Sequence, residues 1–283
     1  MTYLLLSILL SVLTVSFFKL FERYQVNTLQ AIVINYFTCI GMGNLLSSNP
    51  IILQPFWVEP WFPYAIILGF LFIAIFYAIG LTSQKMGVSV SMVAAKLSVV
   101  IPVSIAFLFH GDNMTMAKIT GIVVSLIAVY FMSKKQNSQL HSQPKGLWLL
   151  PVIVFVGSGI IDSLLKYMQH QFIPPANASD MLSTVFLVAL CLGTFVLLVQ
   201  QKAIGFKSIC WGIALGIPNF FCMYYLVKTL ELFESSIVFP INNMAIVICS
   251  TLVSLVFFKE QLSKQNWLGF TLAIISILII SFV

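Results

Sequence analysis

Ten stretches of the chain stay apolar over about 20 residues each, the length a helix needs to cross the hydrocarbon core of a bilayer. They fall near residues 3–21, 28–46, 63–83, 88–110, 115–133, 147–169, 179–200, 208–230, 235–258 and 264–283. The runs are continuous rather than alternating, which excludes the short two-faced strands of a membrane barrel. Most joints are short, so successive helices are expected to run antiparallel. Two joints are long. "SSNPIILQPFWVEPWFP" (47–63) carries four prolines with Trp57 and Trp61, and predicts an interfacial segment. "KKQNSQLHSQPKG", from Lys134 to Gly146, is a polar linker in the middle of the chain.

Composition makes the membrane assignment firm. Hydrophobic residues are 60% and charged residues 8% of the chain, against roughly 25% charged in a soluble domain. Such a chain cannot cover a water-facing surface. The formal charge of +6 is spread over loops, with no basic block of the kind that grips nucleic acid. The first run has neither a basic leader nor a small-residue cleavage site, so it reads as the first span. Five cysteines (Cys39, Cys191, Cys210, Cys222, Cys249) lie in apolar segments without a CxxC, and are expected to be buried free thiols.

The linker divides the spans into two blocks of five, which prompts a search for duplication. An offset of 148 lays Phe109 on Phe257, Asp112 on Glu260, Met114 on Leu262, Thr115 on Ser263, Gly121 on Gly269 and Ser133 on Ser281. The same offset lays "FYAI" (76–79) on "YYLV" (224–227), and an offset of 147 lays "SFFK" (16–19) on "SLLK" (163–166). Residues 1–133 and 147–283 are therefore expected to be two copies of one five-helix unit, joined by linker 134–146. Five is odd, so the second copy enters the membrane from the opposite side, the inverted-repeat plan of many secondary transporters. The predicted fold class is an all-α membrane protein of ten helices in two inverted five-helix repeats.

Each copy ends in an acid-x-[Leu/Met]-[Ser/Thr] turn before a last helix with an early glycine: "FHGDNMTMAKITG" (109–121) and "FFKEQLSKQNWLG" (257–269). In this the chain resembles the drug/metabolite transporter superfamily, in its EamA-like ten-helix branch. The first copy departs from the pattern by having Asp for Glu. The resemblance implies export or exchange of small metabolites, amino acids among them, in a bacterial inner membrane.

The turn itself has a structural explanation. Thr115 and Ser263 can cap the helices that follow, with Asp112 and Glu260 near the positive helix ends. Gly121 and Gly269 are expected to let helices approach closely. Lys96 is different. It is roughly 12 Å from the nearer end of its span, where a lysine costs about 2.5–3.5 kcal/mol to insert and usually faces a bundle interior. Two uses are open and not exclusive: a fixed ion pair with Asp162, or a cationic handle for a carboxylate or phosphate. Asp162 in turn either pairs locally with Lys166 or serves as a proton-coupled carboxylate or a ligand for a substrate amine. Lys19 and Lys166 lie near helix ends and are expected to snorkel. The repeat lays Met244 on Lys96, so this charge is kept in one copy only.

Proline-interrupted helices are tolerated in bilayers only where protein or water satisfies the freed backbone. Pro102, Pro218 and Pro240 therefore point to the cavity, and with them Tyr77, Asn219, Tyr225, Asn242 and Asn243, each Asn with helix packing as its alternative role. The three histidines share no face with a carboxylate, so no metal site is expected. No catalytic residue and no cofactor are predicted.

Charge distribution and resemblance disagree on sidedness. With the N-terminus outside, the cytoplasmic loops hold ten of the fourteen Lys and Arg residues, which the positive-inside rule favours. The resemblance implies both termini inside. The leading function is a carrier, monomeric or homodimeric, moving a small polar or amphipathic metabolite by alternating access, with proton coupling one option. The competing class is a membrane-embedded enzyme or lipid-handling protein using the same cavity.

Overall fold

A computed structural model describes residues 2–46, 56–102, 104–105, 116–133, 146–172, 178–201, 203–230, 232–233 and 235–282. The membrane helices are α1 (Thr2–Arg23), α2 (Thr28–Leu46), α3 (Phe62–Met86), α4 (Val88–Leu97), α5 (Met116–Ser133), α6 (Leu149–Phe172), α7 (Ala178–Val199), α8 (Phe206–Leu230), α9 (Ser235–Val256) and α10 (Lys264–Phe282). There is no strand among the described residues. Five of these helices are long and apolar enough to cross a bilayer, and five carry shorter apolar stretches, such as Val88–Pro102 and Ile241–Val256. Within the proline-rich joint Phe56–Val58 forms a 3₁₀ turn, with Trp57 exposed and Trp61 buried in a cluster with Met168 and Met181. Nine of the ten expected spans match a helix closely. The fourth does not run through: its helix breaks into a turn at Ser98–Val99 and resumes at 100–102.

That break follows from Pro102. Proline has no N–H to give the carbonyl of Ser98, and its ring crowds that carbonyl. The Ile101 N–H takes the Ser98 oxygen instead, at 2.9 Å, in a tighter turn. At the other end of α4 a single residue separates it from α3. Gly87 has φ +108, its N–H closes α3 on the Ser83 carbonyl, and its own carbonyl accepts from Ser91 to open α4. Only glycine occupies this region of φ without strain.

Several helix ends meet by hydrogen bonds on one face, here termed the linker face. Gln84 at the end of α3 donates to Thr28 at the start of α2. Gln30 bonds Ala203 and Gly205 before α8. Asn266 in the first turn of α10 donates to the carbonyls of Phe131 and Met132 at the end of α5. Thus α1 ends at this face while α6, its counterpart, begins there.

The helix packing repeats under exchange of the halves. The α2–α8 contact is matched by α7–α3, α1–α8 by α6–α3, and α1–α9 by α6–α4, while α5–α10, α2–α7 and α4–α9 pair across the axis. Individual residues follow. A Cβ on Gly121 would meet Ile280, and one on Gly269 would meet Met132. Adding 148 to 121 and to 132 gives 269 and 280, so these are one contact seen twice. The two glycines do allow the close approach expected of them.

Candidate functional site

Helix α6 shows where the interior is. Ile153, Val156, Ile160 and Tyr167 make its exposed stripe, each more than 40% accessible. At 100° per residue, Asp162 projects to the opposite side, in line with buried Phe155 and half-buried Ser158. Yet Asp162 is itself exposed. Exposure on the side of the helix that faces the bundle places Asp162 beside an internal space.

Lys96 meets the same space from α4. Its neighbours Met92, Val93, Ala94 and Leu97 are buried, whereas Lys96 is half-buried. It occupies the last turn of α4, where the carbonyls freed by the break favour a cation. Lys96 and Asp162 are within electrostatic range of each other, but the described residues make no direct ion pair between them. The fixed pair considered from sequence is therefore corrected to two charges facing across a gap. Ser98 borders that gap. Its hydroxyl lies 2.6 Å from the Ala95 carbonyl and 3.4 Å from Asp162 Oδ2. It carries one hydrogen, and the shorter contact takes it. The Lys166 side chain, proposed as a local partner of Asp162, lies outside the described residues.

Helices α1 and α8 complete the wall. Lys96 also senses Cys222 of α8, whose thiol is hydrogen-bonded with Ser11 and whose carbonyl accepts from Ser7 at 2.8 Å. One turn further from the linker face, Tyr3 stacks on Tyr225 with centroids 5.9 Å apart, and Tyr225 stacks on Phe221 at 5.9 Å. Tyr3, Ser7 and Ser11 were not singled out from sequence. Their i, i+4, i+8 spacing puts them on one face of α1, a signal available to be read.

Other expected site residues divide. Tyr225 joins the wall, while Tyr77, its counterpart, packs against the α1–α2–α3 core. Asn219 donates to Asn35 Oδ1 at 3.1 Å across the α2–α8 contact, so its amide serves packing rather than the charged gap. Asn242 is buried with no partner for Oδ1 among the described residues, and Asn243 is half-buried; neither is tied to Lys96. The helix runs through Pro218 without a break. All five cysteines are free, but Cys191 and Cys210 are exposed and Cys249 is half-buried, against the expectation that all five are buried.

The acidic turn behaves differently from expectation. Ser263 does cap α10: its hydroxyl accepts the Asn266 N–H at 3.1 Å, while Asn266 Oδ1 accepts from the Ser263 N–H in return. Glu260 does not serve that helix. Its Oε2 accepts the Val88 N–H at 3.2 Å, at the start of α4 in the other half of the chain, and a hydrogen bond from Ser254. Its Oε1 lies 3.3 Å from Lys19 Nζ. Lys19 in turn donates to the Gln84 carbonyl at 2.9 Å and lies 3.4 Å from Glu22. Lys19 is tied down rather than snorkelling. Asp112 and Thr115 lie outside the described residues.

The ten apolar helices form a membrane bundle in which Lys96 and Asp162 bring two opposite charges near each other. Residues 144–282 match the model of the EamA-like transporter family, so the second half of this chain is similar to an EamA-like transporter domain, and the apolar helices make the chain a multi-pass membrane protein. An uncharacterized protein of Haemophilus influenzae is 27% identical over 282 residues, covering 94% of this chain and 92% of its own length. One crystal structure of a protein shares the fold, with a TM-score of 0.61 at 14% identity over 99% of this chain and 95% of that one.

Proposed function

We propose that the protein carries a small zwitterionic metabolite, of the size and charge of an amino acid, across a bacterial inner membrane by alternating access. The observation that supports this most is the Lys96–Asp162 gap: two opposite charges, accessible to solvent and not closed on each other. A buried pair lacking one partner is costly, whereas a pair that receives a carboxylate on one side and an ammonium on the other is satisfied. The stacked rings of Tyr3 and Tyr225 offer an apolar surface beside the charges for the rest of the molecule. Arg23, Lys85, Lys259 and Lys264 are all exposed at the linker face, which favours a cytoplasmic linker and outward release. Counterflow in proteoliposomes tests the proposal. Liposomes preloaded with an unlabelled amino acid mixture should accumulate labelled amino acid transiently, and Lys96→Met should abolish the overshoot. Equal uptake by empty liposomes across the twenty common amino acids would refute it.

A further inference from the structure

We propose that Lys19 and Glu260 form the gate that closes the central cavity at the linker face. The proposal rests on the carrier reading but on different residues.

Glu260 joins four parts of the molecule at one point. Its two oxygens reach the N-terminus of α4, Ser254 of α9 and, through Lys19, the ends of α1 and α3. It is brought there by the α9–α10 turn of the second half, while α4, α3 and α1 belong to the first. A cap from its own helix would fix that helix alone; a cap from the opposite half fixes the halves to each other. The fit is close. A Cβ on Gly87 would stand 2.6 Å from Glu260 Oε2, so the carboxylate sits directly over the one-residue joint between α3 and α4. That joint carries positive φ and is the natural pivot of α4, the helix that holds Lys96. Lys19 and Glu260 are both mostly buried, at 24% and 15% side-chain exposure, so the pair is shielded from the solvent that weakens surface ion pairs.

The same end is also stitched by Ser89–Thr251 between α4 and α9 at 2.8 Å. Deeper in the bundle Asp162 is exposed, with Ser158 one turn nearer the linker face. In this proposal Lys19–Glu260 shuts the space around Asp162 off from the linker face, so that it is reached from the other face. When α4 moves about Gly87, the Val88 N–H leaves Glu260 and the ion pair parts, which admits solvent from the linker face.

Site-directed labelling tests this without any substrate. The five native cysteines are replaced, Ser158→Cys serves as the reporter, and Lys85→Cys in a parallel chain identifies which vesicle orientation presents the linker face. With the gate intact, an impermeant maleimide should label Ser158→Cys readily from the opposite face and slowly from the linker face. Lys19→Met and Glu260→Gln, the second of which keeps an oxygen for Val88, should each raise linker-face labelling about tenfold. Lys19→Arg should stay close to the parent. Unchanged linker-face labelling in both variants overturns the proposal. So does equal labelling of the parent from both faces, or failure of both variants to insert, since a gate is dispensable for folding. Loss of the counterflow signal alone leaves the gate standing, and failure of the gate leaves the zwitterion proposal standing.

Discussion

Helices α3 and α8 occupy equivalent places in the two halves, yet they are held differently. Helix α3 packs on α1, α2 and α4 of its own half as well as on α6 and α7 of the other. Helix α8 keeps the matching contacts across the axis, with α1 and α2, but touches α9 only weakly and has no substantial contact with α6 or α7 among the described residues. One sequence plan therefore yields a closed half and an open one. Helices α6 and α8 make no substantial contact among the described residues, and Asp162 of α6 is exposed. The linker-face end of the first half is tied to the second through Lys19 and Glu260. In the proposed function, exchanging the roles of the two halves is the transport step.

The charge kept in one half gives the largest expected effect. Lys96→Met makes the two halves alike at this position, since Met244 is its counterpart. It should cut counterflow roughly ten- to a hundredfold, the worth of one charge-assisted hydrogen bond, at normal abundance in the membrane. Next is the pivot. Gly87→Ala forces a side chain into positive φ and against Glu260, and should cost about 1–3 kcal/mol, read as a lower Tm in detergent. The symmetric contact sharpens the comparison from the other side. Gly121→Val and Gly269→Val should each cost about 1–3 kcal/mol through overpacking, and by similar amounts. Gly41→Ala, with nothing within 4 Å of the added Cβ, should be close to neutral. A large difference between the first two would mean that the halves are not interchangeable there. The smallest effect is dynamic: backbone amides of α8 should exchange faster than those of α3, because fewer neighbours hold them.

Much of this was legible in the chain, and the exceptions have physical reasons. Span positions followed from apolar run length, because backbone groups in lipid leave few alternatives to a helix. Lys96 stood out because nothing else in its span is charged. Glu260 was placed on its own helix because capping is a local rule, whereas its partner Val88 is 172 residues away. The Lys19 contact is hidden from sequence for the same reason: snorkelling is what a terminal lysine does without a partner. The serines of α1 escaped notice because serine and threonine in membrane helices commonly bond back to the preceding turn, as Thr14 does to Leu10 and Ser16 to Val12. Ser7 instead reaches Cys222 across the bundle. Which serine does which depends on the facing helix, and no local pattern carries that.

Discrimination between charge analogues in purified protein tests the central claim most directly, that Lys96 and Asp162 hold the two ends of one zwitterion. For whichever amino acid gives counterflow, binding is measured against its carboxamide and its deaminated acid. The account predicts that the parent binds the zwitterion at least tenfold more tightly than either analogue. Lys96→Met should lose the preference over the carboxamide while keeping that over the deaminated acid. Asp162→Asn should do the reverse. Retention of both preferences in both variants, with the proteins folded, would contradict the account.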